Sequence, residues 1–218
     1  MLFIYVKIIV LLQPLSYAIP TLSHDYAEWH QGREDYALWY IEITEPTLLE
    51  YLNSLRKYFS NFLFQPNIRQ FHITLFVCGF LTEKQPILND DFSIAQFKQQ
   101  VQYIIQQQFQ SFKILTGNLQ SFDSALFIEI FDFENSLSNF RNLFSKTHHE
   151  IAPLQYLPHI TLGLYNQAYH YSEIFQTIEK IHQKHFEIHI EHLTFGYYKA
   201  KMIQGQLYAH QQIHLGQL

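Results

Sequence analysis

The tetrapeptide His-Ile-Thr-Leu stands twice in this chain, at His72–Leu75 and at His159–Leu162, 87 residues apart. The stretch after each copy also repeats. Helical spacing of apolar residues comes next, near 92–108 and again over 171–184. It leads into strands of related shape, with Phe112, Ile114, Leu119 and Phe122 after the first copy and Phe186, Ile188, Leu193 and Phe195 after the second. An internal repeat of this kind limits the fold more than any composition figure. Two like lobes facing each other are expected.

Between these landmarks the apolar periodicity predicts strands over 37–44, 71–77, 112–119, 126–130, 159–165, 186–195 and 207–214, and helices over 47–60, 92–108, 136–147 and 171–184. Pro46 suits the first position of its helix. Interspersed helices and several adjacent strands point to an α+β fold, with antiparallel sheets packed by helices on one face. A chain of 218 residues allows one or two domains. With no Gly/Ser linker or charge block after Tyr26, residues 26–218 read as one domain.

On a strand, residues i and i+2 share a face and lie about 6.6 Å apart. His72 and Thr74 therefore project together while Phe71, Ile73, Leu75 and Val77 point the other way. His159 and Thr161 repeat this against Ile160, Leu162 and Leu164. Two imidazoles and two hydroxyls aimed at one cleft suit phosphodiester chemistry. One histidine deprotonates the attacking oxygen, the other protonates the leaving oxygen, and the threonines donate to the non-bridging oxygens. Such a mechanism requires no metal and no cofactor. By the same parity Phe76 and Tyr165 fall on the cleft face, four and six residues beyond their histidines, either to stack on a base or sugar or simply to pack.

These motifs resemble those of the two-histidine (2H) phosphoesterases, whose mark is a pair of His-x-Thr motifs and which include 2′-5′ RNA ligase-like proteins and cyclic phosphodiesterases. The resemblance runs from about Tyr26 to the C-terminus and extends to Trp29-His30-Gln31-Gly32-Arg33, Tyr36–Trp39 and Phe71–Phe80. It implies a bilobal fold with pseudo-two-fold symmetry, antiparallel sheets with outer helices, and a metal-independent site between the sheets. It further implies His72 and His159 as the acid/base pair and Thr74 and Thr161 as phosphate-binding hydroxyls. The implied substrates are 2′,3′-cyclic or ADP-ribose 1″,2″-cyclic phosphates, 2′-5′ linkages or RNA ends. A nucleotide- or RNA-end-binding module using the same cleft without turnover is the alternative.

Charge narrows the partners. Fourteen Lys and Arg against 19 Asp and Glu leave a formal charge of −5, which disfavours duplex DNA and favours a small cyclic phosphate, a nucleotide or an RNA end. The single cysteine, Cys78, excludes an intramolecular disulfide and reads as a core residue. The pairs His182/His185 and His189/His192 lack a cysteine and straddle a helix and a strand, which disfavours a metal cluster. Tyr197, Tyr198, Lys199 and Lys201 follow the last long strand and reach either the cleft or solvent. Residues 1–25 are expected to lie outside the domain. The apolar run Leu2–Leu12 followed by Ser16-Tyr17-Ala18 is either a secretory signal or an added arm, and it is too short to span a bilayer. A cytoplasmic location is expected, or export if residues 1–18 are removed.

Overall fold

A computed structural model describes residues 10–151 and 155–216. Helix α1 (Ala27–His30) precedes β1 (Asp35–Glu42), and Glu45 stops that strand and caps α2 (Pro46–Tyr58) by accepting from the Thr47 and Leu48 amides. Strand β2 (His72–Thr82) is followed by the short parallel β3 (Asp91–Ser93), and a Ser93–Gln96 capping box starts α3 (Ile94–Gln107). The chain then runs through β4 (Phe112–Ser121), β5 (Ala125–Phe131), α4 (Ser136–Phe144), β6 (His159–Leu164) and α5 (Tyr171–Ile178). Strands β7 (Glu187–Ile190), β8 (His192–Lys199) and β9 (Tyr208–His214) close it.

The fold is α+β, and the two sheets expected from the repeat are joined edge to edge, β6 to β2, into one nine-stranded sheet. The main strand order is β7-β4-β5-β6-β2-β1-β8-β9, so one antiparallel half is β9-β8-β1-β2 and the other β7-β4-β5-β6. The halves join where β2 pairs antiparallel with β6, Ile73 opposite Ile160. Both isoleucines are fully buried, and beneath them lies one core fed by α2 (Leu48, Leu52), α3 (Phe97, Ile104), α4 (Phe140, Phe144) and α5 (Ile174). The helices thus pack the isoleucine face, leaving the His/Thr face to the site. Trp39 anchors this core by stacking on Phe144 and donating 2.7 Å to the buried Gln100.

Each central strand carries an extra residue. Trp39 pairs with Phe76 but Tyr40 with Thr74, which leaves Leu75 unmatched. Leu126 pairs with Gly163 but Phe127 with Thr161, which leaves Leu162 unmatched. The bulged carbonyls are held reciprocally across the halves: Arg141 of α4 donates to Leu75 O at 2.7 Å, and Arg56 of α2 to Leu162 O at 2.9 Å. A hydrogen bond from a charged donor is worth about 1.5–3 kcal/mol, so each half helps fix the bulge of the other.

Two expectations change. The strand expected over 186–195 breaks at Glu191, because β7 pairs with β4 in one half while β8 pairs with β1 in the other, and the chain crosses there. Residues 10–21, expected outside the domain, are packed on it. Leu12 and Ala18 enter the core, and amides of Leu12, Ala18, Ile19 and Thr21 donate to Ser121, Tyr169, Asp123 and Tyr165 carbonyls. Residues 1–9 of the proposed signal segment lie outside the described residues. Among those described, no helix is long and apolar enough to cross a membrane.

Truncating the seam tests this arrangement. Ile160→Ala is expected to cost about 2–5 kcal/mol in urea unfolding and Ile73→Ala a similar amount. The double variant should lose less than the sum, because the pair shares one contact; strict additivity would contradict a shared seam.

Candidate active site

Counting outward from the Ile73–Ile160 pair sets His72 beside Thr161 and Thr74 beside His159. The flanking registers extend both rows: Glu42 opposes His72 and Tyr40 opposes Thr74, while Phe127 opposes Thr161 and Glu129 opposes His159. The four central strands therefore present two antiparallel rows, Glu42-His72-Thr161-Phe127 and Tyr40-Thr74-His159-Glu129. Every residue in one row has its counterpart 87 positions away in the other. All four motif side chains lie on this face, partly exposed, with the core on the other side.

The histidines are held alike. His72 Nδ1 lies 2.8 Å from Gln70 O, and His159 Nδ1 lies 2.7 Å from Leu157 O. A carbonyl only accepts, so each Nδ1 carries the hydrogen and each neutral ring keeps its lone pair at Nε2. Aromatic edges wedge both rings: Tyr40 at 5.8 Å from His72, and Phe122 and Phe127 at 4.9 and 5.4 Å from His159. Burial pushes the His72 pKa down to about 4, aided by the Arg69, His159 and Arg56 charges and opposed by the Gln70 carbonyl. Burial also lowers His159, against the Leu157 carbonyl. The Glu42 carboxyl is pushed up by burial.

Phe76 and Tyr165 are corrected. Both are fully buried in the main core, Phe76 edge-on to Phe144 and the Tyr165 hydroxyl 2.6 Å from that of Ser121. The bulges at Leu75 and Leu162 reverse the alternation just before them. Val77 and Leu164, each five residues beyond its histidine, are the partly exposed residues of the corresponding stretch.

The flanking row members were missed, although the signal was in the chain: Tyr40-Ile41-Glu42-Ile43 and Phe127-Ile128-Glu129-Ile130 repeat at the same interval as the histidine motifs. Of the remaining candidates, Tyr198 packs with Leu38, Tyr40 and Leu207 on the site face, while Tyr197 stacks on Tyr208 and packs against the main core. Lys199 pairs with Glu34 and Asp35, and Lys201 is exposed. Cys78 is buried, and burial raises its thiol pKa. The Trp29–Arg33 segment is structural, with His30 buried against Asp25 and Arg33 bridging Asp90 and Asp91. Among the described residues no group of three His, Cys, Asp or Glu is placed to hold a metal ion.

Neither known protein families nor curated proteins match the sequence. Solved structures do. E. coli LigT complexed with 3′-AMP aligns at TM-score 0.56 and 14% identity, covering 84% of this chain and 99% of LigT. LigT complexed with NADP+ aligns at 0.53 and 12%, with the same coverage of both chains. A structure described as a phosphoesterase aligns at 0.56 and 11%, again over 84% of this chain and 99% of that one. The chain has the LigT fold. The shared arrangement covers 84% of the chain, both His-Ile-Thr-Leu strands belonging to the sheet that carries it.

Acid stability tests the site's electrostatics. Because the folded pKa of His72 lies below the unfolded value of about 6.5, the unfolded chain binds more protons between those values, and stability falls as pH drops from about 6.5 toward 4. His72→Gln removes this linkage. Its urea-unfolding free energy is expected to fall less between pH 7 and pH 4.5 than that of the unaltered protein, and an equal fall would contradict the depressed pKa.

Proposed function

We propose that this protein is a metal-independent phosphodiesterase acting on 2′,3′-cyclic or 2′-5′ phosphodiester linkages of nucleotides or RNA ends. The observation that carries this reading is the two-fold row of His72 with Thr161 and His159 with Thr74, each imidazole tied at Nδ1 to the carbonyl two residues before it. One phosphate on the two-fold meets two Nε2 atoms and two hydroxyls. The fold shared with LigT, solved with 3′-AMP and with NADP+, supports a nucleotide as the ligand.

In the hydrolytic direction His72 is the base. Burial, with the Arg69 and Arg56 charges added to it, disfavours its cation, so its Nε2 lone pair is available to take a proton from water as the water oxygen bonds to phosphorus. His159 is the acid. Its imidazolium gives the Nε2 proton to the ribose oxygen as the phosphorus–oxygen bond breaks, and the product is a phosphomonoester. Thr74 and Thr161 donate to the non-bridging oxygens, where negative charge builds in the transition state. The pair holds one proton before and after the step, and the proton has moved from His159 to His72. Exchange with solvent resets it. An anionic substrate favours imidazolium, so the working pKa of the acid rises when substrate binds.

A hydrolysis panel in EDTA with 2′,3′-cyclic mononucleotides, ADP-ribose 1″,2″-cyclic phosphate, and 2′-5′ and 3′-5′ dinucleotides tests the reading. His72→Ala and His159→Ala are each expected to lose at least about 10²-fold in kcat while melting as the unaltered protein does. Full activity in either variant overturns the mechanism. Saturable binding without product identifies a binding module instead.

A further inference from the structure

The two-fold of the site is broken by charge. The chain has four arginines, and two are engaged by carboxylates: Arg33 by Asp90 and Asp91, Arg141 by Glu150. Arg56 directs its donors to backbone, Nε to Leu162 O and both Nη groups to Arg69 O at 3.3 Å. Arg69 is different. Its Nε donates 2.8 Å to Gly205 O and its guanidinium lies 4.2 Å over the Tyr198 ring, but among the described residues neither Nη has a protein acceptor and no carboxylate forms an ion pair with it.

Tyr198 belongs to the small cluster on the site face with Tyr40, whose ring wedges His72. The Arg69 guanidinium therefore stands on the site face, on the His72 side. Its surroundings hold it still: Arg56 grips its carbonyl, the Asn67 side chain accepts from its amide, and the adjoining Gln70 side chain bonds both ways to Leu207. At the two-fold-related position stands Tyr156, whose hydroxyl donates to Thr74 O at 3.1 Å. A largely desolvated cation without a counter-ion is costly to keep in a folded protein. A preorganised guanidinium with both terminal nitrogens free matches the oxygens of a phosphate group.

We infer that Arg69 binds a second phosphate of the substrate, a terminal phosphomonoester or diphosphate carried on the far side of the nucleoside from the scissile phosphate, and so makes nucleotides phosphorylated at both ends the preferred ligands. This rests on the proposed function, because the scissile phosphate is taken to sit between the two histidines.

The test is calorimetric titration of the full chain with adenosine 2′-phosphate and with adenosine 2′,5′-bisphosphate, which needs no turnover. The unaltered protein is expected to bind the bisphosphate at least about tenfold tighter. Arg69→Gln is expected to collapse that ratio to within about twofold. Arg69→Met keeps an unbranched apolar side chain at this position and carries the comparison if the Gln variant melts early. Equal affinities in the unaltered protein overturn the inference, as does a preference that survives loss of the guanidinium. Failure to bind either nucleotide also overturns it, while the hydrolysis panel reports separately on the histidine pair. A variant that loses both ligands equally overturns it too, making Arg69 a contact of the shared phosphate.

Discussion

The two halves of the sheet meet at one register pair, and the placement of the four motif side chains hangs from it. Because β2 and β6 run antiparallel through Ile73 and Ile160, the histidine of each motif is set beside the threonine of the other. No loop conformation is needed to bring the four groups together; the strand period does it. A seam of one pair is weak in backbone hydrogen bonds, so the load passes to what lies beneath: two fully buried isoleucines and the helices over them. The reciprocal arginines complete the joint. Arg56 reaches from one half to the bulge of the other, and Arg141 reaches back.

The bulges do more than bend strands. An extra residue at Leu75 and at Leu162 turns both Leu75 and Phe76, and both Leu162 and Gly163, toward the core. The polar face thereby ends after the threonine in each motif, and in the first a large aromatic, Phe76, enters the interior instead of standing on the site face. The cost is a carbonyl without a ladder partner, and that is the acceptor each arginine takes. Gly79 allows a related close approach on β2, where φ is +111° and a Cβ would stand 2.3 Å from Asp90 O.

This explains which parts of the molecule are legible in the chain. Periodicity locates α2, α3 and α4 and most strands, because their burial is one-sided, and the repeated tetrapeptide identifies the four polar groups that share a face. Parity fails at Phe76 and Tyr165 because a bulge is a property of two paired strands, and the unmatched residue is visible only once the partner's register is known. The same holds at Glu191: Phe186 to Ile190 alternates like one strand running on, and only the two different partners of β7 and β8 divide it. Arg56 and Arg141 carry no local signal, since their acceptors lie 106 and 66 residues away. Glu42 and Glu129 were legible, through the second repeat of the same interval.

A duplicated frame poses a difficulty for directional chemistry, because a symmetric pair of histidines has no reason to divide into base and acid. In the proposed mechanism the division comes from residues that depart from the repeat. Arg69 stands where the other half has Tyr156, and Arg56 where it has Leu143, and both charges add to burial in lowering the His72 pKa. Tyr40 likewise stands where the other half has Phe127, with its hydroxyl buried and unpaired among the described residues. Backbone symmetry sets the distances, since each imidazole is tied to its own strand, and the unshared side chains set the proton affinities. Geometry can therefore stay paired while charge does not, and in the proposed mechanism that difference decides which histidine takes the proton from water.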